Sequence, residues 1–97
     1  MIRHIVFWTL KDSPEAAAHA AEIKEASATL AAIPGVLSVE VSIEIEPTST
    51  VSAKVVLQSA HEKPEDLAAY AVHPIHLEFG KLIKAYCENR QALDYTI

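Results

Sequence analysis

The sequence predicts an α+β protomer, a four-stranded antiparallel sheet with helices on one face, in the order β-α-β-β-α-β. Three observations predict it. Residues 36–46 alternate with period two, Leu37, Val39, Val41, Ile43 and Ile45 against Ser38, Glu40, Ser42, Glu44 and Glu46, as a half-buried strand does. Residues 15–32 are alanine-rich, with an apolar stripe of His19, Ile23, Ala26, Leu30 and Ile33 at helical spacing. The segment Tyr70-Ala71-Val72-His73-Pro74-Ile75-His76 holds a proline that ends one short helix near Val72 and begins another.

In order, residues 2–10 read as a strand, with Ile5, Phe7 and Thr9 on one face and His4, Val6, Trp8 and Leu10 on the other. Both faces are largely apolar, so this strand expects cover on both sides. Ser13-Pro14-Glu15 is a helix start: Ser13 as N-cap, Pro14 at the first turn, Glu15 at the positive end of the dipole. Pro34-Gly35 stops that helix. After the strand at 36–46, Pro47-Thr48-Ser49-Thr50 reads as a short turn into a third strand at 51–59, forming a hairpin. Short helix 67–70 leads to the break, and the next helix, about 74–87, turns Ile75, Phe79, Leu82, Ile83 and Tyr86 inward. Gly80 interrupts it at a cost of about 1 kcal/mol against alanine, which suggests close approach of another group. Residues 92–97 form the last strand, with Leu93, Tyr95 and Ile97 opposite Asp94. This is the ferredoxin-like order.

Composition sets the class. A chain of 97 residues, 51% hydrophobic, is one folded domain over residues 1–97. A net charge of −5, with its eight Lys and Arg scattered, argues against nucleic acid. No apolar run approaches the roughly 20 residues of a membrane span, and no secretory leader is expected. The single cysteine, Cys87, suits a reducing cytoplasm. The helices leave the second sheet face bare, and Val6 and Trp8, which share a face with His4, call for the cover a twofold homodimer supplies.

Chemistry concentrates at the helix break. His73 beside the cap and His76 one turn in lie over a common face. Two imidazoles and the Tyr70 phenol there can bind or deprotonate a small molecule, or they can form a rigid corner. His76 reads as a general base or as a histidine bonded to a backbone carbonyl. His73 reads as a ligand contact or a cap, Tyr70 as a site residue or an anchor, and His4 as a pocket donor or a packing residue. His19 and His61 read as structural or solvent-facing. Glu44 and Glu46 form a carboxylate pair only if the second sheet face encloses a cavity. His4, His73 and His76 offer three imidazoles for zinc, but the spacing is not HExxH, and neither metal nor cofactor is expected. Two glycines cannot build a phosphate loop.

The opening Ile2-Arg3-His4-Ile5-Val6-Phe7-Trp8, the stop Ile33-Pro34-Gly35-Val36, the Tyr70…His73-Pro74-Ile75-His76 element and the closing Asp94-Tyr95 resemble the stress-responsive A/B barrel (Dabb) family. The resemblance covers essentially the whole chain and implies a dimeric α/β barrel of ferredoxin-like protomers. The family includes plant stress-induced proteins and an aldol-type polyketide cyclase. What the cyclase implies here is His76 as general base, Tyr70 assisting and His4 lining the same pocket; His73, beside Pro74, is taken with His4 as a substrate contact. A further cyclase histidine, in the third strand, has Ser52 or Ala53 as its counterpart, and the phenylalanine common at that strand's end is missing near Ser59. Two functions follow. One is a homodimeric small-molecule enzyme, of lyase or cyclase type, moving a proton on a carbonyl compound. The other is a non-catalytic dimeric binding or structural module whose histidines hold the corner. An open apolar pocket touching Tyr70, His76 and His4 favours the first.

Overall fold

The computed structural model describes Met1–Ile97. Its elements are β1 (Ile2–Leu10), α1 (Ala16–Ala26) with a 3-10 continuation (Ser27–Ala32), β2 (Val36–Ser42), β3 (Val55–His61), α2 (Pro64–Val72), α3 (Pro74–Tyr86) and β4 (Cys87–Thr96). The strands form one antiparallel sheet in the order β2-β3-β1-β4. This is the ferredoxin-like protomer the sequence calls for. No helix is long and apolar enough to cross a membrane.

β1 is paired on both sides, and its alternation decides what each sheet face carries. His4, Val6 and Trp8 are buried under the helices; Ile5 and Phe7 are half-buried on the open face. The expectation that Val6 and Trp8 need a partner's cover is therefore corrected, because the helices of the same chain supply it. The apolar patch left open is instead Ile5 and Phe7 with their register partners Leu93 on β4 and Val56 on β3, beside Tyr95.

α1 differs from the unbroken helix expected over 15–32. Ser13 Oγ accepts from the Glu15 N–H at 3.1 Å, two residues ahead of the N-cap position at Glu15, and the α-helix opens at Ala16. Beyond Ala26 the backbone tightens, where Ser27 and Thr29 donate their hydroxyls to the Lys24 and Ala26 carbonyls at 2.6 and 3.0 Å. Such back-bonding competes with the regular ladder and favours 3-10 geometry. Most of the stripe points inward: Ile23, Leu30 and Ile33 are buried in one cluster with Val41 and Val55, and Ala26 packs against it half-buried, whereas His19 stays half-buried on Tyr86. Gly35, at φ +86°, turns the chain into β2 in a region where only glycine is unstrained.

The hairpin is real in its pairing and wrong in its reach. β2 ends at Ser42 and β3 begins at Val55, so residues 43–54 are a long connection, with Glu44, Glu46 and Val51 exposed. Ser42 Oγ takes the Glu44 N–H at 3.2 Å, which diverts the backbone from the ladder, and Pro47 has no N–H to offer one. Ser52 and Ala53 consequently lie outside the sheet, and no carboxylate pair faces an enclosed second face.

α2 starts at Pro64, three residues earlier than expected, with the Asp66 carboxylate accepting from the Lys63 N–H at 3.3 Å. The break falls at His73, whose extended ψ of 140° makes one residue both the end of α2 and the cap of α3. β4 begins at Cys87, five residues before the expected strand, because α3 passes directly into it. Between Phe7↔Gln91 and Thr9↔Glu88 the β1–β4 register slips, so Asn89 and Arg90 both stand opposite Trp8. Asn89 takes φ +57° at this bulge and donates its side-chain amide to Thr9 Oγ1 at 2.8 Å. Gly80 is approached by nothing: a methyl group added there meets no atom within 4 Å.

Candidate functional site

A cavity of about 330 Å³ lies between the covered sheet face and α3. β1 contributes His4, Val6 and Trp8 to its wall, β3 Leu57, and α2 Tyr70. α3 contributes His76, Phe79, Gly80, Ile83 and Lys84, and the first four residues of β4 complete it. Three of the four expected site residues, His4, Tyr70 and His76, thus meet on one largely apolar cavity. His73 is not part of that wall. Its Nδ1 accepts from the Ile75 N–H at 3.1 Å, which turns the ring back over the helix start as an N-cap.

Each of the three is held by the backbone that positions it. His76 sits one turn into α3, where its Nδ1–H donates to the Ala71 carbonyl at 3.0 Å, a carbonyl freed by the break at His73. That bond leaves Nε2 as the basic nitrogen. Burial pushes the His76 pKa down, and the charges of His4 and Arg90 push the same way, against the Ala71 carbonyl. The imidazole is neutral at pH 7. Its ring centre is 4.5 Å from that of Tyr70.

Tyr70 is the most deeply buried aromatic side chain, and no protein group lies at hydrogen-bonding geometry to its hydroxyl. Burial raises its pKa to about 12, the Ser59 hydroxyl pulling the other way. The phenol therefore keeps its proton and has one to donate. His4, across the cavity, is 6.3 Å from the Tyr70 ring in edge geometry and pairs through Nδ1 with the Asp94 carboxylate.

Three neighbours escaped the sequence reading. Asp94 lies directly opposite His4 in the β1–β4 register; its alternation against Leu93 and Tyr95 carried that signal. Ser59 and His61 are fully buried behind Tyr70, with His61 Nε2 and Ser59 Oγ 2.9 Å apart and the His61 ring 5.0 Å from Tyr70. His61 is not solvent-facing. Carrying the period Val55, Leu57, Ser59 one step further places it on the covered face, where ending the strand at Ser59 did not. Burial, then His4, lowers the His61 pKa, against the pull of Asp66 and Asp94. The cavity's Cys87 thiol is likewise pushed up by burial. His19 stacks on Tyr86 at 3.8 Å, away from the cavity. No group of three or more His, Cys, Asp or Glu side chains is arranged to hold a metal ion.

Residues 2–97 match the model of the stress responsive A/B barrel domain, Dabb. The chain belongs to this family. This Dabb domain is 32% identical over 96 residues to a stress-response A/B barrel domain-containing protein of Arabidopsis thaliana. The match covers 98% of the chain but only 36% of that longer relative. Among solved structures, a dimeric protein of unknown function and ferredoxin-like fold from Bacteroides fragilis is 30% identical, with a TM-score of 0.86 over 99% of this chain and 95% of the other. A hydroxynitrile lyase from Passiflora edulis shares the fold at 24% identity and a TM-score of 0.77, over 99% and 92% of the two chains.

Proposed function

We propose that this Dabb domain is a homodimeric small-molecule-binding protein that moves a proton on a carbonyl compound without a cofactor. The observation that carries the reading is the meeting of His76, Tyr70 and His4 on one apolar cavity, with a neutral imidazole facing a protonated phenol. His76 Nε2 takes the proton from a carbon next to the carbonyl, and the electron pair of that C–H bond moves onto the carbonyl oxygen. The Tyr70 hydroxyl, with Ser59 beside it but no protein group at hydrogen-bonding geometry, donates to that oxygen as charge develops. His4, oriented by Asp94, is the contact on the opposite wall. His73 acts through α3, which it caps, and so positions His76. A lyase on the same fold, from Passiflora edulis, supports the reading by analogy of scaffold alone.

The dimer rests on the open sheet face, where Ile5, Phe7, Val56, Leu93 and Tyr95 gather; Leu93 is 58% exposed in the single chain. Two such faces in contact bury each other, and the Bacteroides fragilis relative is dimeric. A buried, unpaired Cys87 suits a reducing cytoplasm.

One observation favours a second reading, a non-catalytic module: both His73 and His76 make backbone bonds that hold the helix corner. The test is a thermal-shift screen of β-diketones, aryl ketones and aldehydes against wild type and His76→Ala at equal protein concentration. Catalysis or binding at this site requires compounds that stabilise wild type and lose that effect in His76→Ala. Compounds that stabilise both alike, or none that stabilise either, leave the corner-holding module. Light scattering gives two chains if the open face is the interface, and one chain if it is not.

A further inference from the structure

The four residues Cys87, Glu88, Asn89 and Arg90 all line the cavity. A regular strand cannot do this, because successive side chains leave opposite faces. The bulge opposite Trp8 makes it happen: Asn89 in its left-handed conformation inserts a residue, and its hydrogen bond to Thr9 Oγ1 at 2.8 Å pins the distortion in place. Bulges of this kind re-aim side chains beside functional sites. Arg90, one of only two arginines in the chain, lies on the covered face by the period it shares with Ala92 and Asp94, the partners of Val6 and His4, and the bulge sets Cys87 on the same face beyond it.

Arg90 has no partner. It makes no side-chain hydrogen bond, and the ion pairs of the chain are His4–Asp94, His19–Glu15 and Lys81–Glu78. Lys84 shares the rim from the last turn of α3, and it too is unpaired. Glu88 stands on the same rim, within ion-pair distance of neither. The mouth therefore carries a net positive charge on a protein whose formal charge is −5. The opposite wall is apolar, built from Val6, Trp8, Phe79 and Ile83.

We infer that the cavity selects a carbonyl compound that also bears a carboxylate, the carboxylate held by Arg90 at the bulge while the carbonyl lies between His76 and Tyr70. The inference deepens the function proposed above and rests on it. Guanidinium is suited to the task, since its planar fork meets a carboxylate in two parallel hydrogen bonds. Arg90 and His76 line the same cavity, so one ligand can meet both. A ligand spanning them keeps its anionic end at the rim and its reacting carbon inside. The field at the mouth also draws an anion toward a molecule that otherwise repels it.

The experiment titrates 4-oxo-4-phenylbutanoate and its methyl ester into isotope-labelled protein, following amide shifts of the cavity wall by NMR. Wild type, Arg90→Gln, Arg90→Lys and His76→Ala are compared. The acid should bind wild type about tenfold tighter than the ester. That preference should vanish in Arg90→Gln, persist in reduced form in Arg90→Lys, and weaken as salt is raised. Arg90 is exposed, so the variants keep the fold, which their unperturbed spectra verify. An ester that binds as well as the acid, with binding that depends on His76, overturns the carboxylate subsite and leaves the proposed function standing. A preference for the acid that survives Arg90→Gln overturns the role of Arg90. If neither compound shifts the cavity wall, both the subsite and the proposed function fall.

Discussion

The covered face of the sheet is built in two different ways at its two ends. Under α1, Ile23, Leu30, Ile33, Val41 and Val55 close on one another, and the first two and the last are wholly inaccessible. Under α2 and α3 the buried polar groups His4, Ser59, His61 and Tyr70 sit among apolar Val6, Trp8, Phe79 and Ile83, and the helix stands off far enough to leave the cavity. The aliphatic end has nothing to hydrogen-bond and gains from close packing. The polar end holds imidazoles and a phenol that prefer a partner of defined geometry. The difference separates the part of the core that keeps the chain folded from the part that is free to meet a ligand.

The largest effect expected from breaking this contrast is Ile23→Ala. The side chain is fully buried in the closed end, so its loss leaves a void and costs about 2–5 kcal/mol, read as a drop in the urea midpoint at unchanged slope. A loss below about 1 kcal/mol would show that the aliphatic end is loosely packed after all.

Acid comes next, acting on the polar end alone. Burial lowers the pKa of His61 and of His76 from the ordinary 6.5, so the unfolded chain binds more protons than the folded one. Stability is then greatest above the unfolded pKa and falls as pH drops through 6.5 toward the lower folded values. His61→Phe removes one of the two groups and should flatten the dependence of the urea midpoint on pH in that window. An equally steep dependence in the variant would shift the cause to other residues.

The smallest effect is Tyr70→Phe. Its hydroxyl is buried with no protein partner, so removing it should change stability by no more than about 0.5–1 kcal/mol, in either direction. Any activity on a carbonyl compound should fall while the thermal midpoint holds. A large loss of stability would mean that the phenol is an anchor and not a donor.

The sequence made the closed end easier to read than the polar one, and the reason is physical. Apolar periodicity reports burial, so the α1 stripe, β1 and the break at Pro74 were legible from side-chain spacing alone. Strand ends depend on whether a partner continues the ladder. Ile43 and Ile45 keep the period of two yet lie beyond Ser42, where pairing stops. The burial of His61 was missed because a histidine after Ala60 looks like the start of a polar helix entry, although the period of Val55, Leu57 and Ser59 reaches it and it pairs with both Ile2 and Val36. His4, Tyr70 and His76 were legible as neighbours, whereas Asp94 beside His4 and Arg90 on the cavity wall come into view only through the β1–β4 register. His73 was placed with the others by spacing, and its ring turned back to the backbone because a helix start needs a cap.

The single-residue joint at His73 has a mechanical consequence. α3 has 13 residues and so is about 20 Å long. One end is fastened to α2 through His73 with no slack. The other is tied down by Lys11, whose N–H and Nζ reach the carbonyls of Tyr86 and Lys84 at 2.9 and 2.8 Å. A rod fastened at both ends is held as a strut. Beside this fastened helix, the exposed side chains of Lys84 on α3 and of Glu88 and Arg90 on β4 line the cavity. Exposed side chains change rotamer within nanoseconds, so the freedom in the cavity wall lies there and not in the helix axis.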